Sequence, residues 1–516
     1  MNKEIIQDKN KDIIEEKNTK ENKFRKIFTI ENLLCFLIII CPILDILSFI
    51  FRNYFHTSFS VSTFVRPIIP IIAFTYIFFK EKLKKPITIS VIFYVIYAIC
   101  HLYIFSKLRT GCSYGNVLRE IQYLVNYTFM IMNLFIYSYF FAVKNRQKEI
   151  KDKDKKKAIN KLKKSVLISL TLYISFMYIA LITKTSSFTY MEEKIGYKGW
   201  FESGNSIGTI MLLSLFIVLP MLGKENKQSI RIWTLMVVVL VGAYLTTLLG
   251  TRTGLFGFII VLFTYAVISI MRNLIVNKKI NKKTLITLIT AFMIIGVVVI
   301  IFGSRTIERR KNLANKESEI YDDMQNKTAH VTGDIVNLVK RIKEGTLDTN
   351  YMSEDAQQSM LDLYNIANEK EISNTNMRAL QFIYHSRLIK NQDSFPILLF
   401  GNGYMTHFYE MTFEMEVPAF LYNFGIVGFF LYFMPFLVVA LYGIYIAIRK
   451  LKDMSTETIM HILGLWFAIV VSFLSGYTFF NSSTMMIIIV LTILIVNDLK
   501  DIEDNEIKIY NGKESL

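Results

Sequence analysis

Cysteine is scarce in this chain, which has four cysteines among 516 residues. Cys35, Cys41 and Cys100 lie within long apolar runs, and Cys112 lies in a predicted loop between two such runs. Cys112 has no cysteine outside the apolar runs to pair with, and the sequence contains no C-x-x-C pair. The pattern therefore predicts neither a disulfide framework nor a cysteine-ligated metal site.

Internal repeats, low-complexity tracts and a cleavable signal are also missing from the sequence. Residues 1–29 are polar and charged, so they lack the apolar centre of a secretory signal. The apolar run that follows is long enough to remain in a membrane. We therefore expect this first run to be a permanent anchor.

Apolar residues are abundant: 53% of the chain is hydrophobic, 14% is aromatic, and the mean hydropathy is +0.38. Soluble cores could not bury so much apolar surface. Only helices and closed barrels satisfy the backbone in lipid, and these runs are too long for barrel strands. A helix crosses the hydrocarbon with about 20 apolar residues, so the runs predict an all-α polytopic membrane protein with about 12 transmembrane helices.

One long polar stretch interrupts the apolar runs and divides the chain into five predicted parts. They are a cytoplasmic tail (1–29), transmembrane helices 1–9 (30–302), a large extracellular loop (303–417), a re-entrant segment with transmembrane helices 10–12 (418–498), and a cytoplasmic tail (499–516). Apolar residues at helical spacing, such as Ile335, Leu338, Val339 and Ile342, predict that the loop is mainly helical. Pro435 predicts a kink.

The net charge of +17 is explained by membrane topology rather than by nucleic acid, which is not an expected partner. Four basic clusters fall on one side of the predicted membrane: Lys80–Lys85, Lys144–Lys164, Arg272–Lys283 and Arg449–Lys452. The positive-inside rule places this side in the cytoplasm. The chain is then expected to be a multi-pass plasma-membrane protein with both termini cytoplasmic and the large loop outside.

Six arginines lie at or near helix mouths on the predicted outer side, where that rule predicts few basic residues. They are Arg66, Arg119, Arg252, Arg305, Arg378 and Arg387. Arginine presents a planar, permanently charged fork that binds phosphate oxygens in pairs, so these residues are candidates for binding a diphosphate. Arg252 is the strongest, because Gly250 and Gly254 flank it. The alternative is that each arginine is a membrane anchor or pairs with a nearby acid.

Titratable residues gather just before the tenth predicted span. Gly401 and Gly403 permit a sharp turn, and His407, Glu414 and Glu416 follow it. Desolvation at a membrane surface can adjust such groups for general-base catalysis. The alternative is a surface cluster that only anchors the loop. The spacing does not match a metal site, so no metal is predicted.

Several short segments together suggest a family. They are Trp200-Phe-Glu-Ser-Gly-Asn205 with the later Pro220, Gly250-Thr-Arg-Thr-Gly254, Phe400-Gly-Asn-Gly-Tyr404, Glu414-Met-Glu416 and Gly425-Ile-Val-Gly428. In order and predicted topology the chain resembles the bacterial O-antigen ligase/polymerase family of lipid-linked glycan transferases. The resemblance extends over nearly the whole chain.

The resemblance implies a membrane glycosyltransferase that polymerises undecaprenyl-diphosphate-linked oligosaccharide repeat units into a surface polysaccharide. It implies neither a nucleotide sugar nor a cofactor. Arg252 and Arg378, with Arg66 and Arg119, would bind the diphosphate leaving group. The base that deprotonates the acceptor hydroxyl would be one of His407, Glu414 and Glu416. The implied partners are lipid-linked donor and acceptor glycans, membrane lipids, and a chain-length regulator or flippase.

Three alternatives remain at this stage. The ligase branch of the family has His-Asn after the glycine turn, whereas this chain has Glu414-Met-Glu416, which favours a polymerase over a ligase. A flippase or transporter would be expected to show a repeat and charges at mid-membrane, and Asp45 is the one such charge. A non-enzymatic scaffold or sensor is the third alternative.

Overall fold

The structure is a computed structural model, and it describes part of the chain. The described residues are 29–514, except 57–60, 80, 109–116, 144–151, 225–227, 278–281, 313, 316–330, 332, 350, 374–375, 405–410, 475 and 477.

In the described part of the chain, nine helices of at least 15 residues precede the large loop. They are α1 (Ile30–Tyr54), α2 (Val61–Phe78), α3 (Glu81–Leu108), α4 (Val117–Tyr137), α5 (Asp152–Ile182), α6 (Gly204–Val218), α7 (Gln228–Ala243), α8 (Arg252–Asn277) and α9 (Lys282–Phe302). Two of them continue as π-helical turns, α4 through Ser138–Val143 and α7 through Tyr244–Leu248. A hairpin of β1 (Ser187–Tyr190) and β2 (Ile195–Gly199) joins α5 to α6.

The remaining helices form the loop and the last part of the bundle. The loop contains α10 (Asp334–Lys343), α11 (Glu354–Glu369), α12 (Met377–Gln392) and α13 (Phe395–Phe400). The bundle ends with α14 (Glu416–Tyr432), α15 (Met434–Lys450), α16 (Thr456–Leu474) and α17 (Ser482–Glu514). We call the end of the bundle that carries residues 303–417 the loop face.

The all-α polytopic fold is confirmed, but the count of twelve spans is not. Within the described residues, nine helices are long and apolar enough to cross a membrane, or ten if α14 and α15 form one bent span. Helices α2 and α9 stand where the second and ninth spans are predicted. However, their qualifying apolar parts, Phe64–Phe78 and Met293–Phe302, are shorter than the other spans.

Helix α6 lies at the centre of the bundle. It is apolar all round and packs against α5, α8, α16 and α17. A helix without a polar face is stable only when neighbours cover it on every side. Ser203 caps its N-terminus by accepting a hydrogen bond from the Ser206 amide. The central position of α6 fixes the segment that precedes it, including Glu202, at the loop face.

The loop helices have a hydrophobic core of their own. Leu338, Met360, Leu363, Leu380 and Leu388 are buried together and are separate from the core of the bundle. The helical spacing of their apolar residues buries one face of each helix, as the sequence predicts. The loop is thus a small packed layer that can hold side chains rigidly over the loop face.

A close contact between Gly401 and Gly425 explains the break in the middle of α14. Gly425 has φ +68° and interrupts the helix, and Gly401 has φ +84°. A Cβ on Gly401 would lie 2.2 Å from the Asn423 carbonyl oxygen, and one on Gly425 would lie 2.4 Å from the Leu399 oxygen. Only glycine permits both the backbone angles and this close approach.

The second change of direction lies between α14 and α15, whose axes differ by 51°. Pro435 occupies the first turn of α15. Proline fits that position because its missing N–H would have no helical partner there. The kink predicted at Pro435 is therefore present, as a bend between two helices.

Candidate functional site

Arg252 is the first residue of α8, directly after a tight turn. Thr251 caps the helix, with its hydroxyl oxygen accepting from the Gly254 amide at 3.1 Å. A Cβ on Gly254 would lie 2.8 Å from that hydroxyl, and one on Gly250 would lie 3.2 Å from Gly196 Cα in β2. Glycine therefore allows close packing at both positions, of Gly254 against the Thr251 cap and of Gly250 against the hairpin. They do not provide the open approach for a ligand that the sequence suggested. The Arg252 side chain itself is exposed.

The β-hairpin brings a further arginine to the same place. The Arg309 guanidinium carbon lies 3.4 Å from the centre of the Tyr190 ring. Its Nε is 3.3 Å from Glu193 Oε2. Stacking on an aromatic face and pairing with a carboxylate both hold a guanidinium in a fixed orientation.

The electrostatics of Tyr190 show that three arginines share its surroundings. Burial raises the pKa of the Tyr190 phenol, the charges of Arg309, Arg252 and Arg378 oppose this rise, and the charge of Glu193 adds to it. Charges act on a phenol in this way only over short range. We call Arg252, Arg309 and Arg378 the arginine cluster. Its members come from α8, from the segment after α9 and from α12.

Glu414 lies at the edge of the arginine cluster. Its Oε2 is 3.2 Å from Arg378 Nε, and both side chains are about half exposed, at 54% and 46%. Its backbone N–H donates to Gln381 Oε1 at 3.1 Å, which fixes the chain at this point. The carboxylate is therefore held next to the cluster while it stays accessible to a ligand.

Glu416 has a different environment, because it is 1% exposed. Its Oε1 accepts from the Thr478 and Phe480 amides at 2.6 and 3.0 Å, and its Oε2 accepts from the Phe479 amide at 2.6 Å. Backbone donors thus occupy both oxygens. This geometry joins the start of α14 to the segment before α17 and does not suit a base that must reach a substrate.

A cavity of about 1140 Å³ opens beside Glu414 and extends between α1, α2, α4, α6 and α17. It exceeds the roughly 300–1,000 Å³ typical of pockets for drug-sized ligands. Charged residues line it, namely Asp45, Arg52, Arg66, Arg119, Glu202, Glu414 and Glu416. Two of the four arginines predicted for the diphosphate, Arg66 and Arg119, are thus in this cavity.

A paired group of side chains lines one part of the cavity. Arg66 Nη2 makes a salt bridge to Asp45 and donates to Ser483 Oγ at 2.9 Å. The Tyr173 hydroxyl donates to the second oxygen of Asp45 at 2.6 Å. Charges within a membrane protein need such partners, because burying them alone is costly. This group links α1, α2, α5 and α17.

The turn that contains Gly401 and Gly403 is held by two buried residues of α3 and α4. His101 Nδ1 donates to the Phe400 carbonyl oxygen at 2.6 Å, and its Nε2 lies 2.8 Å from Glu120 Oε1. Glu120 Oε2 accepts from the Tyr404 amide at 3.0 Å. We call His101 and Glu120 the turn clamp, since they bind both ends of residues 400–404.

Residues 28–501 match the model of a family described as O-antigen ligase like membrane protein. The chain belongs to this family. No curated protein and no solved structure matches the chain. The resemblance identified from the sequence is confirmed, and the chain is a multi-pass membrane protein of the class that ligates or polymerises polysaccharides.

For this O-antigen ligase-like chain, the structure separates the predicted arginines into two groups. Arg252 and Arg378 lie in the arginine cluster, whereas Arg66 and Arg119 line the cavity. Of the predicted base candidates, Glu414 is accessible, Glu416 is enclosed by amides, and His407 lies outside the described residues. In the described part of the chain, no three His, Cys, Asp or Glu residues are placed to hold a metal ion.

Sequence reasoning missed three members of this site. Arg309, Tyr190 and Glu193 meet only through the hairpin. A signal for Arg309 existed, because Arg309-Arg310-Lys311 follows the ninth predicted span on the side where few basic residues are expected. The turn clamp was also missed, since nothing local connects His101 with a turn almost 300 residues later.

Proposed function

We propose that this O-antigen ligase-like protein transfers a glycan from undecaprenyl diphosphate to the hydroxyl of a second glycan at the loop face. The observation that carries the proposal is the arginine cluster beside an accessible carboxylate. Arg309 stacks on Tyr190, the charges of Arg252 and Arg378 also act on this phenol, and Arg378 contacts Glu414. The proposed reaction needs a site that binds the leaving diphosphate and, next to it, a base that accepts the proton of the acceptor hydroxyl.

The reaction follows from the charges at the site. The acceptor hydroxyl oxygen attacks the anomeric carbon of the donor glycan and forms the new glycosidic bond. The bond from that carbon to the diphosphate breaks, and the diphosphate leaves with the bonding electron pair. The hydroxyl proton passes to a base, for which Glu414 is our candidate, with His407 as the alternative. Fixed guanidinium groups stabilise the charge that develops on the leaving group.

We further propose that the product is a polymer of repeat units in a surface polysaccharide such as a capsule. Glu414-Met-Glu416 stands where the resemblance expects His-Asn in a ligase. The loop face would then be the outer face of the plasma membrane, with both termini in the cytoplasm. A chain-length regulator or a flippase would be a fitting protein partner.

Replacement of Arg252 with lysine tests the proposal. We expect Arg252→Lys to lower polymer formation by about 100-fold or more, because a point charge cannot replace the bidentate fork at a developing charge. The assay uses purified protein in nanodiscs with undecaprenyl-diphosphate-linked repeat units and measures polymer and released undecaprenyl diphosphate.

The matched control is Arg387→Lys, on the same helix as Arg378 but outside the arginine cluster. This variant should keep activity within a few-fold of the unaltered protein. Normal polymer formation by Arg252→Lys would refute the role of the cluster.

A further inference from the structure

The cavity and the arginine cluster use different arginines. In the cavity, Arg52 pairs with Glu202 and Arg66 pairs with Asp45. In the cluster, Arg309 stacks on Tyr190. Glu414 belongs to both places, because it pairs with Arg378 and lines the cavity. A ligand in the cavity and a ligand at the cluster would therefore meet at Glu414.

The cavity is amphipathic. Its polar wall includes Asp45, Arg66 and Arg119, and its apolar wall includes Ile71 of α2 and Val125 of α4. Ile71 and Val125 are also 54% and 60% exposed on the surface of the bundle. In a membrane such positions face lipid. The cavity thus reaches the lipid-facing surface between α2 and α4, where a hydrocarbon chain could enter.

The polar wall lies at headgroup depth. Arg66 is five residues after the start of α2 at Val61, which places it about 7.5 Å along the helix from that end. Arg119 lies near the start of α4, also at the loop face, and has no ion-pair partner among the residues that the structure describes. Arg66 Nε is buried and has no hydrogen-bond acceptor among the described residues. These donors suit an anionic headgroup whose tail passes Ile71 and Val125.

We propose that this cavity binds a second polyprenyl-diphosphate-linked glycan, which is the acceptor of the transfer. The inference rests on the proposed function and identifies its second substrate. Asp45 and Glu202 each engage one arginine of the cavity, which weakens its field. The acceptor's diphosphate gains no charge during the reaction and so needs no strong stabilisation. The leaving diphosphate gains charge, and the arginine cluster matches that need.

This assignment has a consequence for the type of enzyme. An acceptor on a polyprenyl diphosphate is what a polymerase requires, because donor and acceptor are then the same class of lipid. The glycan of the acceptor would extend from the cavity toward Glu414, and its terminal hydroxyl would meet the donor there.

Saturation binding of radiolabelled undecaprenyl diphosphate to the full chain in phosphatidylcholine nanodiscs tests the inference. We expect two molecules per protein. The Asp45→Asn/Arg66→Gln/Arg119→Gln variant should bind one, and so should Arg252→Gln/Arg378→Gln. The Asp45 change accompanies the Arg66 change so that no buried charge is left unpaired.

Two binding results would overturn the inference. One is saturation at a single molecule that the cavity variant does not alter. The other is displacement of the second molecule by phosphatidylglycerol as readily as by undecaprenyl diphosphate, which would make the cavity a general site for anionic phospholipids. Failure of the proposed function gives a different result, namely that the cluster variant still binds two molecules.

A transfer assay separates binding of the acceptor from structural damage. The cavity variant should lose at least tenfold in transfer to lipid-linked repeat units. It should keep transfer to the same repeat-unit oligosaccharide freed from its carrier by mild acid, within threefold of the unaltered protein. Equal loss with both acceptors would overturn the inference, since the cavity would then serve catalysis or folding.

Discussion

Glu414 and Glu416 are two residues apart and have opposite environments. One is half exposed beside Arg378, and the other is enclosed by the amides of residues 478–480. The sequence alone could not distinguish them, because both are acids in the same short segment. At the scale of single residues, burial and the identity of the donors decide which carboxylate can accept a proton from a substrate.

The two glutamates should respond differently to substitution by glutamine. Glu414→Gln should lower transfer by about 10²–10⁴-fold with unchanged thermal stability, because it would remove the base that we propose for the acceptor hydroxyl. Glu416→Gln should instead destabilise the fold by about 1–3 kcal/mol, since its amide N–H₂ cannot accept from a backbone N–H. Thermal unfolding in detergent and the nanodisc assay measure the two effects. An unaltered melting temperature for Glu416→Gln with activity as low as that of Glu414→Gln would contradict this division.

A second residue-scale prediction concerns pH. His385 is 2% exposed, stacks on Phe413, and donates through Nε2 to the Met411 carbonyl oxygen. Burial lowers its pKa to about 4 from an ordinary value of 6.5, and the Met411 hydrogen bond opposes this only in part. Between pH 6.5 and 4 the unfolded chain therefore binds more protons than the folded chain.

Stability contributed by neutral His385 should be complete above pH 6.5 and should fall as the pH drops toward 4. The loss should reach at most about 3 kcal/mol, which is the free energy of a shift of about 2.5 pH units. Thermal unfolding of the full chain from pH 7 to 4 measures it, with His385→Gln as the control. The control should show a shallower dependence on pH, and an identical dependence would rule out His385 as the cause.

At the scale of elements, the turn clamp connects α3 and α4 to the turn before residues 405–410. The clamp fixes the Phe400 carbonyl and the Tyr404 amide. Gly403 passes so close that a Cβ there would lie 2.3 Å from the Phe105 ring. The helices thereby set where the chain enters the segment that contains His407.

Two substitutions of Glu120 should show whether stability and transfer depend on its hydrogen bonds or on its negative charge. Glu120→Gln can still accept from the Tyr404 amide, and its N–H₂ can donate to His101 Nε2, so stability and transfer should remain near normal. Glu120→Leu leaves two buried polar groups without a partner, which costs about 1–3 kcal/mol each, and should also reduce transfer. Melting temperature and polymer yield are the measurements. Equal loss in both variants would show that the negative charge, rather than the clamp geometry, matters.

At the scale of the whole molecule, the loop helices, the hairpin and the bundle each contribute part of one face. The arginine cluster includes residues of α8, α12 and the segment after α9, and the cavity is also lined by α1, α2, α3, α4, α6, α14 and α17. A site assembled in this way at one end of the bundle would suit the two lipid-linked substrates that we propose, because both would lie in the membrane and react at its surface.

Deletion of the gene tests this arrangement in the cell. We expect single repeat units to accumulate on the carrier lipid in the outer leaflet, because they would still be translocated but not joined. Leaflet-selective labelling of the carrier-linked glycan is the measurement. Accumulation in the cytoplasmic leaflet would instead support the flippase alternative.

The amino-acid sequence by itself determined the membrane class, the mainly helical loop, the bend at Pro435 and the family. These features depend on hydropathy, spacing and short motifs, which are properties of neighbouring residues. The predicted count of twelve spans is not confirmed, because α2 and α9 have shorter apolar parts within the described residues than a span requires.

Only the tertiary structure decided which charged residues meet. It placed Arg309 on Tyr190, divided the four predicted arginines between a cluster and a cavity, enclosed Glu416 and joined His101 to a distant turn. The physical reason is that an ion pair or hydrogen bond acts over a few ångströms in space. The partners here lie tens to hundreds of residues apart, so their contacts exist only once the helices have packed.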